Sequence, residues 1–215
     1  LMNWDVVKQL VEYGRSQEEA HNKKFRFTLT TNGVLLNDEI MEFCNREMSN
    51  VVLSLDGRKE VNDKMRPFRK GAGSYDIIMP KFKKVAESRN QMNYYVRGTF
   101  TRNNLDFSND VIHFADLGFK QMSIEPVVAA PEEPYSIREE DVPQILEEYD
   151  KLAVEYIKRK KEEASISSIL CWIFSRAHVW RRDCLVVAQE RSILQLPHGG
   201  ICIHAISLLV RRNSC

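Results

Sequence analysis

Val51-Val52-Leu53-Ser54-Leu55-Asp56-Gly57 is a short β-branched run brought to a stop by an Asp-Gly pair. Such a run, bounded by a turn signal, reads as a buried strand. The same grammar recurs on both sides of it. Phe25 to Thr30 is a strand closed by Thr31-Asn32-Gly33, Tyr94 to Phe100 is a strand leading into Thr101-Arg102, and Met122 to Val128 is a strand containing Ser123-Ile124-Glu125-Pro126. Helical patterns lie between them. Asn37 is placed to cap a helix that carries Ile40, Phe43 and Cys44 inward. Ser74 opens another, with Tyr75, Ile78, Phe82 and Val85 at helical spacing. Ser108 to Leu117 is a third, with Gly118 as its C-cap. Asn3 to about Ser16 forms an opening helix with Val6, Val7, Leu10 and Val11 on one side.

From about Asp141 to Lys161 runs the most regular helix of the chain. Val142, Ile145, Leu146, Tyr149, Leu152, Ala153, Tyr156 and Ile157 make its apolar stripe. Acidic residues gather at its start and Lys158-Arg159-Lys160-Lys161 at its end, matching the helix dipole. That basic run is therefore a helix end and not a binding patch. Strand–helix alternation predicts an α/β fold with a parallel sheet. Ligands of such sheets gather at the C-terminal strand ends. Those ends carry Asn32, Ser54, Asp56, Thr101, Arg102 and Glu125, each of them also an ordinary turn residue when taken alone.

The totals exclude several classes. A net charge of +1 gives no electrostatic reason for a nucleic-acid or membrane partner. No stretch is long and apolar enough for a membrane helix, and Asp5, Lys8 and Glu12 interrupt any leader-like run. A cytoplasmic location is the expectation. The 5 cysteines, Cys44, Cys171, Cys184, Cys202 and Cys215, are odd in number and scattered, unlike a disulfide framework. His21 and His113 fall on helices, away from the strand ends. No Ser/His/Asp, Cys/His or paired-carboxylate arrangement assembles at those ends, which disfavours a hydrolase or aldolase-type barrel.

Taken together, Thr30-Thr31-Asn32-Gly33, Val52 to Gly57, Asn62-Asp63-Lys64-Met65-Arg66 and Gly71-Ala72-Gly73-Ser74-Tyr75 resemble the middle of a radical S-adenosylmethionine (SAM) barrel. The branch most similar is the peptide-modifying one with a C-terminal SPASM extension, which includes anaerobic sulfatase-maturating enzymes. Arg97-Gly98-Thr99-Phe100-Thr101 and Ser123 to Val128 are similar to the maturase of the six-cysteine peptides called SCIFF. The resemblance spans roughly Leu1 to Glu163. It implies a partial parallel (β/α) barrel that lacks its first strands, with an open sheet edge and exposed apolar surface. It also implies SAM and a [4Fe–4S] cluster as cofactors, a cysteine-rich precursor peptide as partner, and thioether crosslinking as the reaction.

Within the resemblance, Ser54 contacts the amino-acid or ribose groups of SAM, and Asp56 accepts from the ribose hydroxyls. Arg66 pairs with the SAM carboxylate through its fork, Asn32 lies near the adenine or methionine end, and Glu125 lines the mouth. The departures are equally specific. The Cys-x3-Cys-x2-Cys motif of the family does not occur in the sequence, and neither does the Gly-Gly-Glu-Pro signature. Both are expected to lie upstream of Leu1. A cluster of this type needs protein thiolates, and Cys44, on an apolar helix face, is a core thiol. The chain is therefore expected to be an inactive fragment, with no catalytic residue and no metal ligand of its own. The competing expectation is a non-catalytic α/β module with a SAM-like pocket and no cluster.

After about Glu163 helical periodicity ends, so residues 1–163 form one domain and 164–215 an aberrant tail. The tail holds Cys171, His178, Cys184, His198, Cys202 and His204 with no Cys-x2-Cys or His-x3-His pair, so it reads as no zinc site. A frame beginning one nucleotide earlier permits Gly-Pro-Cys over Arg176 to Arg182. Over Arg182 to Val210 it permits Gly-Cys-Gly and Tyr-Pro-Cys, in a string resembling the start of a SPASM extension. The tail is accordingly expected to be a frameshifted reading of the gene, with the slip between about Lys161 and Cys171.

Overall fold

The computed structural model describes residues 1–162, in the order α1 (Trp4–His21), β1 (Phe27–Thr31), α2 (Asp38–Glu47), β2 (Met48–Ser54), α3 (Lys59–Met65), α4 (Tyr75–Ser88), β3 (Tyr94–Phe100), α5 (Ser108–Asp116), β4 (Met122–Pro126) and α6 (Val142–Glu162). Single 3-10 turns at Arg102–Asn104 and Glu139–Asp141 precede α5 and α6. The expected tail, with its cysteines, its frameshift and the 163/164 boundary, lies outside the described residues.

The four strands form one sheet in the order β1-β2-β3-β4, and every neighbouring pair is parallel. This is the simplest product of repeated strand–helix–strand units, each strand laid beside the one before it. Alternation along the strands separates two unlike faces. One carries Val51, Leu53, Tyr94, Val96, Phe100 and Ile124, all buried. Against it the helices set Phe43, Ile78, Phe82, Val85 and Phe114. The Phe100 and Phe107 rings stack at 4.0 Å, and Tyr149 of α6 meets Phe107 edge-on at 5.0 Å. The opposite face is described below.

Local chemistry explains the element boundaries. Asn37 Oδ1 accepts from the Ile40 N–H at 2.9 Å, the expected N-cap of α2. Replacing Asn37 by alanine is expected to cost about 1 kcal/mol. A drop in the urea midpoint with an unchanged slope would show it. Ser74 stands at the position before α4, where the helix was expected to open, but its hydroxyl donates to the Arg66 carbonyl at 2.9 Å and accepts from Asn62 Nδ2 at 3.1 Å, and so does not bond the first turn of α4. Asp63 Oδ1 does so instead, accepting from the Tyr75 N–H at 2.8 Å. Asp63 sits on α3, a helix of 7 residues whose shortness left no periodic signal in the sequence.

Two apolar stripes are also rearranged. On α1 the inward line is Trp4, Val7, Val11 and Gly14, whereas Val6 and Leu10 face outward together with Tyr13. Gly14 selects this side, because a Cβ there would lie 2.7 Å from the Phe27 ring. The outward residues form exposed apolar surface, and β1 has one strand neighbour among the described residues. On α6, Ile145 and Leu152 are buried while Leu146 and Ile157 are exposed. Glu148 takes a core position, its carboxylate accepting from the Ser108 hydroxyl and from Lys151 Nζ, the latter at 2.7 Å. A buried carboxylate so held satisfies its lone pairs without water.

Candidate functional site

The sheet face away from the helices is polar. Thr28 and Thr30 of β1, Asn50 and Ser54 of β2, Tyr95, Arg97 and Thr99 of β3, and Ser123 and Glu125 of β4 occupy it, with Val52 as the apolar exception. All are half-buried or exposed as residues, although the side-chain oxygen of Asn50 is itself buried without a hydrogen-bond partner. A parallel sheet packed by helices on both sides carries apolar residues on both faces. One apolar and one polar face instead suit a curved wall whose polar side lines an open interior.

At the centre of this face three side chains stand in register. Ser54 neighbours Arg97 across β2–β3, and Arg97 neighbours Ser123 across β3–β4. Arg97 Nη2 donates to Glu125 Oε2 at 2.6 Å, and Ser123 Oγ lies 3.5 Å from Glu125 Oε1. The Ser54 hydroxyl has no hydrogen-bond partner among the described residues. Asn32 lies just past the Thr31–Leu53 pair, exposed, with its Oδ1 accepting from the Val34 N–H at 3.3 Å. Gly33 follows at φ +79°, where a Cβ would also strike the Phe82 ring at 2.3 Å, so glycine is required in this turn.

Asp56 and Arg66 are brought together, but with each other. Arg66 Nε donates to Asp56 Oδ2 at 2.6 Å and Arg66 Nη2 to Asp56 Oδ1 at 2.9 Å. Asp56 Oδ1 also accepts from the Thr99 N–H at 3.1 Å. The Asp56 side chain is only 6% exposed. It ties the loop after β2 to the end of β3, and the Arg66 fork, for which the resemblance implies a ligand carboxylate, is engaged with Asp56.

Arg97, in the middle of a strand, carries no turn or motif signal of its own, and only strand register reveals its place between Ser54 and Ser123. A second charged cluster lies further out. Asp110, fully buried, accepts from the Arg58 N–H and Nε at 2.9 Å each and from Asn104 Nδ2 at 3.1 Å. Burial pushes its carboxyl above the ordinary value, and the Arg58 and Asn104 bonds act against that shift. It joins the start of α3 to the start of α5 and so braces the helix layer. His113, on α5, meets the Tyr75 hydroxyl at 2.6 Å between helices, away from the polar face.

A [4Fe–4S] cluster does not fit the described residues. Their one free cysteine is Cys44, buried in α2, and burial pushes its thiol up to about 11. Such a thiol is protonated and sealed in the core, not offered as a thiolate. No group of three or more His, Cys, Asp or Glu among the described residues converges on a metal position. No described helix is long and apolar enough to cross a membrane.

This architecture, a parallel four-stranded sheet with six α-helices among the described residues, is a partial radical SAM (β/α) fold. The chain is similar to a solved structure of native anSMEcpe with bound AdoMet, at 20% identity and a TM-score of 0.62 over 73% of this chain and 44% of that one. It is equally similar to native anSMEcpe with bound AdoMet and Kp18Cys peptide, at 20% identity and a TM-score of 0.63 over 73% and 44%. The chain thus spans less than half the length of these proteins. No family model and no curated protein sequence matches it.

Proposed function

We propose that the chain is the SAM-binding part of a radical SAM enzyme acting on a peptide. One observation carries this: the sheet face opposite the helices is polar and partly open, and the Ser54 hydroxyl, unpartnered among the described residues, stands at its strand end. A hydroxyl so placed can donate to and accept from a ligand. Ser54, Glu125 and Asn32 would contact the ligand or line its mouth. Asp56 and Arg66 would hold the loop that frames it. The anSMEcpe structures with AdoMet and with AdoMet plus peptide support a ligand of this kind on this fold. The finer assignment, a SCIFF maturase installing thioether crosslinks in a cysteine-rich peptide in the cytoplasm, rests on the strings Arg97 to Thr101 and Ser123 to Val128.

When bound in such enzymes, a cluster supplies the electron that cleaves SAM. The described residues offer no ligands for one, which favours a second reading, a SAM-binding module without radical chemistry. Titration calorimetry separates these from an unrelated role. SAM is expected to bind the chain, and Ser54→Ala to weaken binding about fivefold, the loss of one hydrogen bond. Undetectable binding of SAM at millimolar concentration would refute both readings. Reconstitution with iron and sulfide is expected to yield no SAM-dependent 5′-deoxyadenosine. Its formation would overturn the inactive-fragment assignment.

A further inference from the structure

We propose that the turn from Arg66 to Ser74 is a docking surface for an acidic stretch of a peptide partner, a proposal that rests on the peptide-directed function proposed above. Between Lys64 and Ser74 the chain carries Lys64, Arg66, Arg69 and Lys70 and no acidic residue. Asp56 engages Arg66. Lys64, Arg69 and Lys70 are exposed and have no ion-pair or hydrogen-bond partner among the described residues. Arginines elsewhere near the strand ends differ, for Arg58, Arg97 and Arg102 each pair with a carboxylate. Unpaired cations gathered in one turn create a local positive potential that attracts an anionic partner. The chain as a whole carries only +1, so no wider positive field favours nucleic acid over a peptide.

The turn is held in shape before any partner arrives. The Ser74 hydroxyl donates to the Arg66 carbonyl at 2.9 Å and closes its two ends. Within it, the Phe68 N–H donates to the Ala72 carbonyl and the Gly71 N–H to the Phe68 carbonyl, at 2.8 Å each. Gly71 adopts φ +80°, and a Cβ there would meet nothing within 4 Å, so the tip stands in open space. A surface ordered in advance loses little entropy on binding. Its base is fixed at the strand ends, because Asp56 accepts from both Arg66 and the Thr99 N–H. Lys70 follows Arg66 by four residues, so the chain keeps it within about 14 Å of that base. An extended peptide advances about 3.4 Å per residue. An acidic residue roughly four positions from one held at the strand ends therefore reaches the tip.

Fluorescence anisotropy on the full chain with SAM present tests this. The probes are a labelled short peptide containing three consecutive glutamates and its glutamine counterpart. Wild type is expected to bind the glutamate peptide about fivefold more tightly at low salt, as a pair of exposed ion pairs provides. The difference should shrink in about 0.5 M sodium chloride. Arg69→Gln with Lys70→Gln should reduce the preference to less than twofold. Lys23→Gln with Lys24→Gln removes the same charge from exposed positions before β1, at the opposite end of the sheet, and should leave the preference intact. Circular dichroism confirms that each variant is folded; should the turn variant fail that check, Lys70→Gln alone replaces it, expected to halve the preference. Equal binding of the two peptides, binding of neither, or a preference that the turn variant keeps would overturn the proposal, as would an equal loss in the Lys23 and Lys24 variant. Tighter binding of a single-stranded oligonucleotide of the same charge would overturn the assignment to a peptide. SAM binding without the peptide preference leaves the SAM-binding function standing. The preference without SAM binding removes that function and leaves the docking surface.

Discussion

Gly98→Val is expected to unfold the chain or lower its stability by roughly 3 kcal/mol or more. Gly98 stands in β3, on the buried face of the sheet, directly beside the end of β2. A Cβ at this position would lie 2.7 Å from the Leu55 carbonyl oxygen and 3.4 Å from the Asp56 backbone. Backbone atoms cannot rotate aside as a side chain can. The same stretch is fixed by the Leu55 N–H, which donates to the Arg97 carbonyl at 2.9 Å. Relief would require β2 and β3 to separate where Ser54, Asp56 and Arg97 are aligned. Gly98→Ala should cost less, about 1–3 kcal/mol, and should impair SAM binding together with stability. Equilibrium urea unfolding gives the measurement. A Gly98→Val protein as stable as wild type would show that the Leu55 carbonyl does not approach Gly98 this closely.

Arg66→Ala is expected to destabilise by about 2–3 kcal/mol. Removing one partner of a buried pair typically costs about 3–5 kcal/mol, because the remaining charge is left without compensation. Arg66 itself is 36% exposed, so part of the interaction is already screened by water and the expectation is lowered accordingly. Asp56 would keep only the Thr99 N–H. Arg66→Lys restores charge but not the two-pronged geometry and should recover less than half of the loss. The double variant Asp56→Asn with Arg66→Ala is expected to be more stable than Arg66→Ala alone, since no buried charge remains. If Arg66→Ala and Asp56→Ala proved additive, the clasp between them would carry no coupling energy and the loop after β2 would be held by other contacts.

Much of the frame was legible in the chain because it depends on local chemistry. The β-branched runs bounded by Asn-Gly and Asp-Gly located β1 and β2, and β3 was placed residue for residue at Tyr94–Phe100. The cap at Asn37 and the left-handed Gly118 follow from side-chain reach and from the missing Cβ, properties of one or two residues each. Helix faces were less legible. Val6 and Leu10 share a helical stripe with Val7 and Val11, and nothing in periodicity alone states which half of a broad stripe meets the core. The close approach of Gly14 to Phe27 decided that, and it is a contact across thirteen residues.

The candidate site divides along the same line. Sequence by itself determined that polar residues, Asn32, Ser54, Asp56 and Glu125 among them, would cluster where parallel strands end, since strand limits and topology both follow from local signals. Tertiary structure alone decided what those residues face. Asp56 and Arg66 are ten positions apart, and whether they meet a ligand or each other depends on how the loop between them folds back. Arg97 sits in the middle of a strand, where a charged residue carries no turn signal. Its position between Ser54 and Ser123 exists only through the register of β2, β3 and β4, set by backbone hydrogen bonds between segments more than twenty residues apart.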